Sequence, residues 1–129
     1  MMENSSKINH TQLKMHFNVH TLCNGVLAGL VSVTASAANI DLWSASLIGL
    51  IGSVIYTSTR KLVMRFEIDD PLDITEIHGF CGIWSVLAVG IFDKDCGLLY
   101  KGSMQQLLIQ LIGAIAYTFW SGMLSLIFF

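Results

Sequence analysis

Four nearly continuous apolar stretches, Leu22 to Ala38, Leu42 to Tyr56, Ile74 to Phe92 and Met104 to Phe129, alternate with short polar connectors along the chain. A helix needs about 20 residues, with a working range near 17 to 25, to cross a hydrocarbon core about 30 Å thick. The first and third stretches meet that length, and the fourth is long enough to tilt. The second is short as a strictly apolar run. Thr57, Ser58 and Thr59 can bond back into a helix, however, and Arg60 and Lys61 can snorkel to the headgroups, which extends it to about residue 60. A polar segment over residues 1–20 precedes the first stretch. The pattern predicts an all-α integral membrane fold with about four spans, near residues 22–38, 42–60, 71–92 and 104–129.

Small residues recur in all four stretches: Gly25 and Gly29, Gly49 and Gly52, Gly79, Gly82 and Gly90, then Gly113 and Gly122. In lipid, helices associate through close backbone approach at such positions, so the pattern predicts a tightly packed polytopic bundle. Trp43 and Tyr56 near the ends of the second stretch, and Tyr100 before the fourth, suit amphipathic rings at the membrane interface.

Composition reinforces this reading. Of 129 residues, 53% are hydrophobic and 12% charged, against about 25% charged in an ordinary soluble domain. A net charge of −2 without a basic block excludes nucleic-acid binding, which needs clustered Lys and Arg. Cys23, Cys81 and Cys96 are too far apart for a paired metal or redox motif and read as small apolar filler. Met1 to Val19 lacks the apolar core of a cleavable signal peptide. Lys7, Lys14, Arg60, Lys61 and Arg65 fall on one side of the alternating connectors, while Lys94 and Lys101 fall on the other. Five cations against two predict that the N-terminus, the central loop and the C-terminus are cytoplasmic.

The chemistry concentrates between Ile68 and Trp84. Asp70-Pro71-x-Asp73 reads as a helix start: Asp70 as N-cap, Pro71 at the first helical position and Asp73 as negative charge in the first turn. A helix counted from Asp70 would carry His78 about 12 Å inward, near the midplane, on one face with Ile74, Cys81 and Gly82. Glu76 lies roughly 200° away around the helix and cannot pair with His78. A buried imidazole there is expected to be mostly neutral, one nitrogen donating and the other accepting. A packed core histidine and a solute-pathway histidine are both consistent with that position. His16 and His20 have i,i+4 spacing but no carboxylate or cysteine beside them, so no metal is expected. No nucleophile has an evident base and no phosphate-cradling loop occurs, so neither an enzyme nor a cofactor is indicated.

Three blocks, Cys23 to Ala35, Ile68 to Trp84 and Gly97 to Leu111, resemble the C-terminal part of ammonium transporters of the Amt/Mep/Rh family. The resemblance implies a partial ammonium transporter fold: the last four of about eleven spanning helices, which form two inverted halves around a narrow apolar pore. It implies trimers in a lipid bilayer, placed in the plasma membrane, with ammonium or ammonia as the solute. His78 matches one of two pore histidines in the H-G-x-C-G pattern, Ile74 resembles the apolar lining one turn away, and Thr34 resembles a threonine beside the pore. Asp70 and Asp73 resemble structural acids below it. Seven preceding helices, a partner histidine, an aromatic gate and an outer recruiting site have no counterpart here, and Ala35-Ser36-Ala37 replaces the usual Gly/Pro-Cys pattern. The expectation is transport only when completed by the missing half, with a truncated, non-conducting subunit of full-length transporters as the alternative.

Overall fold

A computed structural model describes residues 19–128. Among them the chain forms α1 (Val19–Thr34), α2 (Leu42–Arg65), α3 (Thr75–Phe92), a short α4 (Leu98–Lys101) and α5 (Gln105–Phe128), with no strand. The helices α2, α3 and α5 are long and apolar enough to cross a membrane, and α1 is a shorter apolar helix. The fold is all-helical.

Bounds differ from the sequence pattern for local reasons. Residues 35–38 turn instead of extending α1, with Ser36 N–H donating to Val33 O and Asn39 N–H to Ser36 O. In α2 the hydroxyls of Thr57, Ser58 and Thr59 donate to the carbonyls of Ser53, Val54 and Ile55, so polar residues stay helical and the helix reaches Arg65.

Packing follows the small residues, though in specific pairs. A Cβ on Gly29 would lie 3.2 Å from Gly49 O, and one on Gly52 would lie 1.9 Å from Ser32 Oγ, so α1 and α2 meet backbone to backbone. Ser53 Oγ crosses to Gly25 O at 3.0 Å, and Trp84 Nε1 of α3 donates to Ile48 O of α2 at 3.2 Å. One core cluster joins Ala28, Tyr56, Ile77 and Cys81, and a second joins Ile48, Ala88 and Phe92. The last helix, α5, has no buried residue and packs chiefly along α3. It comes close at Gly90, where a Cβ would meet Leu107 Cα at 2.7 Å.

Polar ties gather at opposite ends of the bundle. At one end, Asn39 Nδ2 donates to Asp93 (3.1 Å) and Asp95 (2.8 Å), while Lys94 Nζ pairs with Asp41 at 2.7 Å and the Tyr100 hydroxyl also reaches Asp41. The Lys94 ammonium and then the Tyr100 hydroxyl hold the Asp41 carboxyl below its ordinary 3.8, and Asp41 in turn raises Lys94 above its ordinary 10.5. Burial pushes Asp93 up, but the Cys96 and Asp95 N–H groups, Asn39 and Lys101 outweigh it and leave the group lowered. A depressed carboxyl adds stability above its unfolded pKa, lost as pH falls through the folded value; a raised amine adds stability below its unfolded pKa, lost as pH rises through the folded value. The clamp between residues 39–41 and 93–100 is therefore expected to hold from about pH 4 to about pH 10 and to loosen outside that window. Protection factors of the Lys94 amide, bonded to Asn39 O, would test this in micelles; a maximum confined to neutral pH would contradict it.

Candidate functional site

The segment entering α3 is bent by two aspartates with different tasks. Asp70 accepts the Ile74 N–H (3.0 Å) and the Thr75 N–H (2.7 Å), one on each carboxyl oxygen. Those amides, the Thr75 N–H first, lower the Asp70 carboxyl below its ordinary value. Pro71 and Leu72 form a turn ahead of the helix, so regular helix begins about three residues later than the Asp-Pro pattern suggests.

Asp73 takes a left-handed backbone, φ +54. Its buried Oδ2 accepts Asn24 Nδ2 of α1 at 2.9 Å and the Tyr56 hydroxyl of α2 at 2.7 Å, and lies 3.4 Å from Arg60 Nε. His20 Nδ1 stands 3.9 Å from the same oxygen, and the Arg60 guanidinium also donates to Thr21 Oγ1. Asp73 thus ties α1 and α2 to the start of α3. Tyr56, expected at the membrane interface, is buried, and Arg60, expected to snorkel outward, turns inward because this carboxylate offers a partner.

Beyond Asp73, Thr75–Phe80 is a π-helix, in which Cys81 N–H reaches back five residues to Glu76 O. Such turns are rare and frequent at functional sites. The wider turn alters the face predicted from α-helical spacing. His78 and Gly82 share a groove, whereas Cys81 is buried with Sγ 3.4 Å from Gly52 O, and Ile74 is exposed outside that groove. His78 lies three residues into the helix, about 5 Å at the usual rise, instead of about 12 Å counted from Asp70. Thr34, at the end of α1, donates its hydroxyl to Val31 O at 2.7 Å and does not line the groove.

The groove runs between α3 and α5, lined by His78 to Val86 on α3 and by Gly113 to Ser125 on α5, with a volume of about 740 Å³. Gly79 and Gly82 on one wall and Gly113 and Gly122 on the other keep it wide. It is mostly apolar and open along one side. The His78 imidazole has no hydrogen-bond partner among the described residues, leaving both ring nitrogens available to a solute. No cluster of His, Cys, Asp and Glu suited to a metal occurs among the described residues; His16 lies outside them.

A profile of the Ammonium Transporter Family matches residues 6–129 of this chain. The chain belongs to that family. It is 39% identical over 126 aligned residues to Ammonium transporter 3 of Dictyostelium discoideum, covering 88% of this chain and 29% of the relative. It is 29% identical over 132 aligned residues to Ammonium transporter 1 member 1 of Arabidopsis thaliana, covering 91% of this chain and 26% of the relative. For Ammonium transporter 1 member 1 of Solanum lycopersicum, identity is 34% over 82 residues, covering 64% and 17%. This ammonium transporter family chain therefore spans less than a third of the length of the curated relatives it matches. These relatives are transporters, and with three helices of spanning length the chain is a membrane protein.

The Asp73 cluster was missed by sequence reasoning. Its signal was present: Asn24, Tyr56 and Arg60 are polar interruptions in apolar helices, and Tyr56 and Arg60 share a face by i,i+4 spacing.

Proposed function

We propose that this chain supplies one wall of an ammonium-conducting pore, with His78 as its polar contact to ammonium or ammonia. The observation that carries the reading is the unpartnered imidazole set in an apolar, glycine-walled groove. An imidazole can donate from one nitrogen and accept at the other, so it can pass a small N–H solute along. The groove walls are mostly apolar, with only the hydroxyls of Tyr117, Thr118, Ser121 and Ser125 and no carboxylate, so they replace little of the hydration shell of a metal cation.

The groove is open along one side, so conduction requires a facing surface. Family resemblance supplies one in the other inverted half, and trimers as the assembly. In this reading Ile74 and Thr34 contribute only where that half approaches them, and Asp70 and Asp73 set the helix that carries His78. The cation distribution supports cytoplasmic N- and C-termini, and the resemblance supports the plasma membrane. An unclosed groove equally suits the alternative, a non-conducting subunit joined to longer transporters.

The test replaces the matching C-terminal segment of Ammonium transporter 3 from Dictyostelium discoideum with this chain in cells lacking ammonium uptake. The chimaera is expected to restore growth on limiting ammonium, and His78→Ala in it to lower uptake by about tenfold or more. This chain alone is expected to give none. Equal uptake by the chimaera and its His78→Ala variant would overturn the role of His78. Reduced uptake on co-expression with the full-length relative, without rescue by the chimaera, would favour the subunit reading.

A further inference from the structure

We propose that Glu76 is a proton-binding site built into the π-turn, and that the proton it holds sets how His78 faces the groove. The inference does not depend on the transport reading.

Glu76 is 1% exposed and lies within Thr75–Phe80, two residues before His78. Its Oε2 has no hydrogen-bond partner among the described residues. The donors of this end of the bundle converge elsewhere: Asn24, Tyr56 and Arg60 on Asp73, and the Ile74 and Thr75 amides on Asp70. The charges that act on Glu76 are the like charges of Asp73 and Asp70. An ionised, buried carboxylate with an empty oxygen beside two others is costly, and only a bound cation or proton removes that cost. Glu76 does not line the His78 groove, so an ion in the groove has no contact with it. A proton needs no cavity.

Protonation forms one O–H bond on the Glu76 carboxylate, with the proton supplied by water or buffer acid at the polar end of the bundle. No other bond changes. The reverse step adds a third negative charge to the packed side of the turn. A π-turn is one hydrogen-bond step away from α-helix, and a change from i→i+5 to i→i+4 bonding shifts the helix register by one residue, about 100° around the axis in total. His78 sits inside that turn and moves with it. The groups facing this region are Asp70 and Asp73 on the lead-in, Arg60 and Tyr56 on α2, His20 on α1, and Tyr117 on α5 beside the groove.

Three glutamates, Glu3, Glu67 and Glu76, make the chain suited to direct observation. The full chain, with ¹³C-carboxyl glutamate and ¹⁵N-histidine, would be titrated in lipid nanodiscs by solid-state NMR, and Glu76→Gln would assign the Glu76 signal. Glu76 is expected to titrate in a step separate from Glu3 and Glu67, with the His78 ring and π-turn backbone signals moving at the same step. In Glu76→Gln, the His78 ring signals should no longer move at that step, while Glu76→Asp should retain the coupled step. An unchanged His78 profile in a folded Glu76→Gln variant would overturn the proposal. If that variant did not fold, a Glu76 step in the unsubstituted chain without movement of His78 would do so.

Discussion

Asp73→Ala is expected to destabilise the helical assembly by about 3–5 kcal/mol, because it removes one partner of a buried ion pair and leaves the other behind. The side chains of Arg60 and Asp73 are 11% and 8% exposed, and their nearest atoms are 3.4 Å apart. The same substitution strands the Asn24 amide and the Tyr56 hydroxyl. Asp73→Asn should cost clearly less, since asparagine tolerates the φ of +54 and keeps an acceptor for both neutral donors while losing the charge. A plain helix cap would behave differently, costing about 1 kcal/mol on loss and showing little dependence on Arg60. Denaturant unfolding in micelles, combined with an Arg60→Met double-mutant cycle, separates the two. A cost near 1 kcal/mol for Asp73→Ala, additive with Arg60→Met, would reduce Asp73 to a cap.

Gly90→Val is expected to displace α5 from α3. A Cβ at Gly90 would lie 2.7 Å from Leu107 Cα, which is backbone and cannot turn aside as a side chain can. Overpacking of this kind costs about 1–3 kcal/mol in a well-packed interior. Because α5 has no buried residue to hold it elsewhere, the response should be movement of the whole helix. Spin labels on the exposed Ile83 and Ile112 would report it as a longer or broader distance distribution. Gly113→Ala is the control, since a Cβ there has no atom within 4 Å and should leave the distances unchanged. Identical distances in Gly90→Val would show that α5 is held by something other than its contact with α3.

Much of the architecture follows from local pattern. The apolar runs form helices, and the Asp70-Pro71 signal marks where the chain turns into α3, because caps depend on neighbours in sequence. The π-turn and the Asp73 cluster do not follow from such rules. Tyr56 reaches Asp73 across 17 residues and Asn24 reaches it across 49, so the pull that bends the lead-in away from Pro71 exists only after α1, α2 and α3 have packed. The same holds for the glycines. Gly25 and Gly29 form a recognisable pair in sequence, yet Gly29 packs on Gly49, while Gly25 offers its carbonyl to Ser53. For the site, the position of His78 in an apolar helix was legible. Its neighbours Cys81 and Ile74 were assigned to its face by α-helical spacing, and a π-turn does not keep that spacing.

The contact between Gly90 and Leu107 also gives the α3–α5 pair the mechanics of a lever. From Leu107 to Gly122, beside the groove, α5 runs 15 residues, about 22 Å at the α-helical rise. A tilt of about 5° pivoting at Gly90 would move that part of α5 by about 2 Å, comparable to adding or removing a methyl group along the groove. The clearance opposite His78 is therefore governed by an angle set near the far end of the helix pair, and a residue remote from the imidazole can tune it without touching the groove.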